Sequence, residues 1–184
     1  MVSSASYPST SLQWILRALD FAARKHRDQR RKDAEASPYI NHPIALAELL
    51  ANVGGIDDPE VICAALLHDT IEDTETTFEE LREEFGASIA QIVLEVTDDT
   101  RLPKARRKQL QIDGASALSA KAKLVKIADK TCNLRDMQDA PPADWDEARR
   151  LDYFIWAKRV VDNLGPVNPA LEEAFADAYS RCPG

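Results

Sequence analysis

Apolar residues recur at intervals of three and four along most of the chain, which is the spacing of an amphipathic α-helix. Thr10 or Ser11 is placed to begin the first helix, and its apolar face comprises Leu12, Ile15, Leu16, Leu19, Ala22 and Ala23. A second helix is predicted over residues 43–52, because Gly54 and Gly55 follow it as stop signals.

The same pattern continues through the rest of the sequence. A third helix opens at Asp58 with Pro59 in its first turn and carries an apolar run up to His68. A capping box at residues 77–80 predicts a fourth helix that ends at Gly86. Later helices are predicted over residues 89–96, from Pro103, over residues 122–134, from a cap at Asp144 to Asn163, and from Asn168. Only residues 38–40 look extended, so we predict an all-α fold in a single domain over residues 1–184.

Composition narrows the class of protein. The 184 residues are 45% hydrophobic and 29% charged, which is typical of a globular domain and not of a disordered or fibrous chain. The longest purely apolar stretch, residues 61–67, is far shorter than the ~20 residues that span a bilayer. The three cysteines are widely spaced and the first residues do not resemble a signal peptide, so a reducing, cytoplasmic location is expected.

Charge is unevenly distributed along the chain. The net charge of −8 disfavours general nucleic-acid binding. Basic residues nevertheless cluster in three runs, at residues 24–32, 101–108 and 121–130, which suggests a local site for a compact anion such as a nucleotide. Most of these side chains are predicted to be solvated, and Arg106, Arg107 and Lys108 are interpreted as surface residues.

His68 and Asp69 close an apolar run that would otherwise be a buried helix. A charged carboxylate beside an imidazole is costly there unless it is paired or bound to a metal. Glu72 and Asp73 stand four residues further on, so a continuing helix would place Glu72 on the His68 face and Asp73 on the Asp69 face. Because three close carboxylates repel one another, the pattern favours a cation at this helix end.

His42 and Asp129 supply two further candidate ligands. His42 projects from the N-terminus of the helix that Pro43 opens, and Asp129 interrupts an apolar helix face, with Asn133 one turn beyond it. Two imidazoles and two carboxylates suit one divalent transition ion. From spacing alone, a structural role stays open as well, because a His-Asp pair also serves as a helix cap, an ion pair or a hydrogen-bonded pair in a core.

The order His42, His68-Asp69, Asp129 resembles the signature of the HD-domain metal-dependent phosphohydrolases. Longer motifs narrow the resemblance to the hydrolase domain of the Rel/SpoT family, and most closely to its short free-standing form, the small alarmone hydrolases similar to the animal SpoT homolog. These motifs lie at residues 29–32 (Gln-x-Arg-Lys), 38–43 (Pro-Tyr-Ile-Asn-His-Pro), 65–74 (Ala-Leu-Leu-His-Asp-Thr-Ile-Glu-Asp-Thr), 96–99 (Val-Thr-Asp-Asp) and 126–134 (Lys-Ile-Ala-Asp-Lys-x-x-Asn-Leu). The resemblance covers about residues 13–178.

The resemblance implies roles for individual residues. The matching metal ligands are His42, His68, Asp69 and Asp129, and the implied cofactor is one Mn²⁺ per chain. Glu72 and Asp73 match the pair that positions or activates the attacking water. The matching substrate-side positions are Arg31, Lys32, Lys104, Asn133, Arg149 and Tyr153.

The activity implied by the resemblance is metal-dependent hydrolysis of the 3′-pyrophosphate of ppGpp or pppGpp, leaving GDP or GTP. The chain leaves no room for the synthetase domain of long Rel enzymes, so hydrolysis alone is expected. The expected partner is a small-molecule nucleotide, with neither nucleic acid nor membrane involved. Asp28 and the length of residues 32–38 depart from the long Rel pattern beside the nucleotide positions, which leaves base and ribose preference open.

Three alternatives remain at this stage. Removal of the 2′-phosphate of NADPH would use the same attack next to a ribose phosphate. A non-catalytic nucleotide-binding module would not need Glu72 and Asp73, and a helical interaction scaffold would need none of the candidate ligands.

Overall fold

The computed structural model describes residues 10–182, so residues 1–9 and 183–184, the two ends of the predicted domain, lie outside the described part. Its helices are α1 (Ser11–Lys25), α2 (Asn41–Glu48), α3 (Pro59–Leu67), α4 (Thr70–Asp73), α5 (Phe78–Val96), α6 (Lys104–Gly114), α7 (Ala120–Asp139), α8 (Glu147–Asp162) and α9 (Pro169–Ser180). A π-helical turn at Leu49–Val53 extends α2. Within residues 10–182 there is no β-strand, only an isolated bridge between Arg30 and Pro38, and the predicted all-α fold is confirmed.

Side-chain caps explain several helix starts. Thr10 accepts a hydrogen bond from the Gln13 backbone N–H, while the Gln13 side chain accepts one from the Thr10 N–H, a complete capping box. Asp58 caps α3 by accepting from the Glu60 N–H, and Pro59 occupies the first turn, where a missing N–H costs nothing. These two starts agree with the prediction.

Two predicted boundaries are wrong. The cap of α8 is Asp146, whose side chain accepts from the Arg149 N–H, and not Asp144. α7 runs from Ala120 to Asp139, well beyond the predicted residues 122–134. Ser119 caps α7, a signal that the apolar pattern alone does not show.

The predicted fourth and fifth helices are joined through a kink within α5. Gly86 interrupts the helical backbone there with φ of 84°, a left-handed conformation that only glycine adopts at little cost. The predicted end at Gly86 is therefore correct as a change of direction, although no loop separates the two halves.

The core is built around α3. All of its residues from Val61 to Leu67 are buried, and α3 packs against α1, α2, α5 and α7. A helix that is apolar all round is stable only when it is covered on every side. Among the described residues, no helix is long and apolar enough to cross a membrane.

This packing brings the predicted ligands together. His42 lies in the first turn of α2, His68 and Asp69 follow the end of α3, and Asp129 lies in the middle of α7. The three helices α2, α3 and α7 contact one another pairwise. Their meeting point forms one end of the α3 core.

Candidate active site

Four predicted metal ligands converge where α2, α3 and α7 meet. Ligand atoms of His42, His68 and Asp69 all lie within 4.8 Å of one another. Asp129 Oδ1 lies 3.3 Å from His42 Nε2 and 4.0 Å from His68 Nε2. Two imidazoles and the Asp69 carboxylate therefore surround one point, with the Asp129 carboxylate beside them.

The hydrogen bonding of the histidines leaves lone pairs for a metal. His68 Nδ1 lies 2.8 Å from the Ala65 carbonyl oxygen, and since a carbonyl only accepts, Nδ1 carries the proton. His68 Nε2 is buried 2.9 Å from Asp69 Oδ2, and among the described residues it has no partner with hydrogen-bond geometry. Metal-bound histidines are commonly oriented in this way through their second nitrogen. The donor set fits a divalent transition ion.

Charges around the ligands favour ionised carboxylates. Although burial opposes charge, the neighbouring His68 holds the pKa of Asp69 well below its usual range. Burial likewise opposes the charged imidazole, yet the Asp69 carboxylate raises the pKa of His68 to about 9, so a metal ion that binds Nε2 would displace a proton there. Lys130 Nζ lies 2.8 Å from Asp129 Oδ2 and keeps the pKa of that carboxyl low despite its burial. The Tyr39 hydroxyl donates a hydrogen bond to Asp69 Oδ2.

Glu72 and Asp73 lie beside this cluster on α4, but not on a continuous extension of α3 as predicted. The helix breaks after Leu67 and resumes at Thr70. Glu72 Oε2 accepts a hydrogen bond of 3.1 Å from the Asp98 N–H, and Arg107 Nη1 donates to Oε1 at 3.1 Å. Burial and the Asp69 charge raise the pKa of Glu72 to about 7.

Asp73 faces a different neighbour. Its Oδ2 accepts a 2.8 Å hydrogen bond from the Gln29 side-chain amide. Loss of solvation, followed by the Asp69 charge, raises the pKa of Asp73. The two adjacent carboxylates therefore line different cavities, Glu72 the one beside His68 and Asp73 the one beside Gln29.

Two cavities that share Asn133 lie beside the cluster. The inner cavity of about 140 Å³ is lined by polar groups, which include His68, Asp69, Glu72, Asp129, Lys130 and Asn133. The outer cavity of about 340 Å³ is lined among others by Arg31, Lys32, Tyr39, Asp73, Asn133 and Tyr153. Asn133 belongs to both, and its amide donates to Asp129 Oδ1 at 2.5 Å. A molecule bound in the outer cavity can therefore extend a group past Asn133 toward the proposed metal-binding residues.

Four of the predicted substrate-side residues, Arg31, Lys32, Asn133 and Tyr153, line the outer cavity. Lys104 and Arg149 do not line either cavity, but both lie over the ring of Trp145 in the outer wall, with Lys104 Nζ at 5.6 Å and Arg149 Cζ at 4.3 Å from its centroid. They place two positive charges at the rim of the outer cavity.

Arg107 and Lys108 were predicted to be solvated surface residues, and this is wrong. Arg107 bonds Glu72, and Lys108 Nζ lies 4.7 Å from the centroid of the Trp156 ring. Arg106 is exposed, as predicted. α6 turns Arg107 and Lys108 inward toward α4 and α8, an arrangement that depends on tertiary packing.

Sequence reasoning also missed Tyr39, Lys130 and Asp136. Tyr39 stands within a recognised motif, so its hydroxyl was available as a signal. Lys130 follows Asp129 directly, and a lysine on an otherwise apolar helix face usually needs an anionic partner. Asp136 lies on the same α7 face as Asp129 and accepts a hydrogen bond from Arg31.

Comparison with known proteins agrees with this geometry. The HD-domain family model matches residues 18–159. A human protein named guanosine-3′,5′-bis(diphosphate) 3′-pyrophosphohydrolase MESH1 is 53% identical over 167 residues, covering 91% of this chain and 93% of its own length. The Drosophila melanogaster protein of the same name is 48% identical over 177 residues, covering 96% and 97%.

A solved structure described as a metazoan ortholog of SpoT that hydrolyzes ppGpp and plays a role in starvation responses has the same fold. It superposes with a TM-score of 0.89 at 46% identity and covers 96% of this chain and 98% of that chain. The resemblance found in the sequence is thereby confirmed. The chain belongs to the HD-domain family and, within it, to the group of short proteins named MESH1.

Proposed function

We propose that the protein hydrolyses guanosine 3′,5′-bis(diphosphate) to GDP and pyrophosphate, and pppGpp to GTP and pyrophosphate. The observation that carries this proposal is that two histidines and two carboxylates lie beside the Glu72-Asp73 pair. The fold that holds them is shared with relatives that are named for this reaction. The proposal treats residues 1–184 as one HD-type domain.

The residues suited to hold the metal are His42, His68, Asp69 and Asp129. One Mn²⁺ per chain is the proposed cofactor, because a mixed imidazole and carboxylate site accommodates this ion. When bound, such an ion lowers the pKa of a coordinated water and offsets phosphoryl charge.

Glu72 is the proposed general base. Its pKa of about 7 is matched to proton transfer near neutral pH. The water oxygen forms a bond to the phosphorus attached to O3′, the P–O3′ bond breaks, and O3′ takes up a proton. Asp73, aimed from the neighbouring wall, is proposed to orient the water.

The substrate groups fit the two cavities. We place the 3′-diphosphate in the inner cavity, where Lys130 and Asn133 line the wall. The nucleoside and the 5′-diphosphate occupy the outer cavity, near Arg31, Lys32 and Tyr153, with Lys104 and Arg149 at the rim. Positive side chains around bound phosphates stabilise the charge of the transition state.

A cytoplasmic location is also proposed. Cys63 and Cys132 are buried free thiols, which is typical of proteins in a reducing compartment.

The test is turnover of a nucleotide panel with Mn²⁺, with separate detection of pyrophosphate and phosphate. We expect pyrophosphate from ppGpp, and a fall in kcat of ~10²–10⁴ for Glu72→Gln, the range for loss of a general acid–base group. Glu79→Gln is the matched control, since Glu79 is exposed in the first turn of α5. Phosphate release from NADPH without ppGpp turnover would support the 2′-phosphatase alternative, and no turnover of any nucleotide would favour a binding module.

A further inference from the structure

We propose that Asp136 is a positioning residue that couples nucleotide binding at Arg31 to metal binding at His42. This inference rests on the proposed metal site and extends it, because it assigns a role to a carboxylate outside the ligand set. Asp136 follows Asn133 by three residues and Asp129 by seven on α7, so all three lie on one helix face.

One carboxylate oxygen of Asp136 faces both partners. Its Oδ2 accepts a hydrogen bond from Arg31 Nη2 and lies 3.7 Å from His42 Nδ1. The second distance is slightly longer than the ~2.7–3.2 Å of a hydrogen bond. Arg31 also approaches Asn133 Oδ1, but at 3.5 Å, which leaves Asp136 as the nearer partner of the guanidinium.

His42 needs a partner at this position. Its side chain is only 2% exposed, and its Nδ1 is buried without a hydrogen bond among the described residues. Nε2 faces Asp129 and the ligand cluster at 3.3 Å. For the Nε2 lone pair to bind a metal, the proton of a neutral imidazole must sit on Nδ1. Asp136 Oδ2 is positioned to accept a hydrogen bond from this N–H.

With Oδ2 held by Arg31, His42 Nδ1 stays 3.7 Å away, so a full hydrogen bond to His42 requires the carboxylate to shift away from the guanidinium. When an anionic group of the nucleotide takes up the Arg31 guanidinium, Asp136 is released to accept from His42 Nδ1–H. Carboxylates that orient a metal-bound histidine strengthen metal binding. Because binding linkage is reciprocal, nucleotide tightens metal binding and metal tightens nucleotide binding by the same factor.

The experiment measures Mn²⁺ binding by the EPR signal of free Mn²⁺, with and without GDP, after correction for the Mn²⁺–GDP complex measured without protein. In the native protein, GDP is expected to lower the Mn²⁺ dissociation constant severalfold. In Asp136→Asn, the constant without GDP is expected to rise ~10–100-fold, the usual effect of losing such a partner, and the GDP effect is expected to vanish. Direct contact between GDP phosphate and Mn²⁺ would persist in this variant, so an unchanged GDP effect overturns the proposal.

Asp139→Asn is the matched control for charge, because Asp139 is exposed and lies less than one helical turn after Asp136 on α7. It is expected to leave both constants within twofold of the native values. An equal effect of Asp139→Asn and Asp136→Asn would reduce the effect to net charge and overturn the proposal.

Arg31→Gln gives an independent readout with the opposite sign, which remains informative if Asp136→Asn fails to fold. Removing the competing guanidinium frees Asp136, so Mn²⁺ without GDP is expected to bind more tightly than to the native protein and more tightly than to Lys32→Gln, which removes a neighbouring charge from the same cavity. Weaker Mn²⁺ binding in Arg31→Gln contradicts the proposal.

A His68→Ala arm separates this proposal from the metal site itself. Loss of Mn²⁺ binding in His68→Ala, combined with native binding and native GDP coupling in Asp136→Asn, overturns only the role of Asp136. Native Mn²⁺ binding in His68→Ala overturns the metal site and the coupling together.

Discussion

Among single residues, Arg107 is the donor that fixes one oxygen of Glu72. Its Nη1 lies 3.1 Å from Glu72 Oε1 and 3.8 Å from Asp98 Oδ2, and its side chain is 26% exposed. Gln111 holds Asp98 in turn, with its amide nitrogen 2.9 and 2.8 Å from the two carboxylate oxygens. The carboxylate proposed as general base is therefore held from one side by α6.

Arg107→Ala is expected to lower kcat by ~10–150-fold, because a hydrogen bond to a charged group contributes about 1.5–3 kcal/mol. The exposed Arg106→Ala serves as the control and is expected to change kcat by less than about threefold. Steady-state kinetics of both variants checks this. A larger loss of kcat for Arg106→Ala than for Arg107→Ala would contradict the role of Arg107 in holding Glu72.

The four proposed metal ligands could be picked out from the sequence because each interrupts an apolar pattern or stands in a motif. Arg107 could not be predicted, because it is 35 residues from Glu72 along the chain. It is also one of three consecutive basic residues, and only the packing of α6 decides which of them turn inward. Asp136 was hidden for a similar reason, because its partners His42 and Arg31 come from α2 and the segment before it.

At the scale of elements, helix starts with side-chain caps were predictable and the break between α3 and α4 was not. Thr10, Asp58 and Asn168 each cap a helix at the expected position. Between Leu67 and Thr70 the chain has neither glycine nor proline, so local signals indicate a continuous helix. The break arises at His68 and Asp69, where side chains must converge with those of α2 and α7.

Lys121 joins the first turns of α3 and α7. Its Nζ lies 2.7 Å from Asp58 Oδ2 and 2.6 Å from Glu60 Oε2. The hydrogen bond from Lys121 lowers the pKa of Glu60. Burial raises the pKa of Asp58, but the Lys121 hydrogen bond and charge, together with backbone N–H donors, outweigh burial and lower it. Carboxyls with lowered pKa stabilise the folded state above their unfolded values and lose this contribution as the pH falls.

Lys121→Gln is therefore expected to reduce the free energy of unfolding at pH 7 by less than about 1 kcal/mol, since the ion pair is partly exposed. The difference from the native protein is expected to shrink toward pH ~3, as the pH falls below the ordinary carboxyl pKa values of ~3.9–4.3 and then through the lowered ones. Urea denaturation at both pH values measures it, with Lys123→Gln as the charge control. A difference that persists unchanged at low pH would argue against the ion pair as its cause.

At the scale of the whole molecule, an acidic chain presents a basic site. The net charge is −8, yet each of the three basic runs of the sequence contributes to the active site. The first supplies Arg31 and Lys32 to the outer cavity, the second supplies Arg107, and the third supplies Lys130 to the inner cavity. The local anion site predicted from these runs agrees with the cavities, although the sequence could not show which members of each run turn inward.

We propose that His42, His68, Asp69 and Asp129 hold one metal ion that hydrolysis requires. The most direct test is metal analysis combined with ppGpp turnover in the native protein and in the His68→Ala, Asp69→Ala double variant. We expect about one equivalent of Mn²⁺ per native chain, with release of pyrophosphate, and loss of both in the double variant. Full metal occupancy or undiminished pyrophosphate release in the double variant would contradict the account.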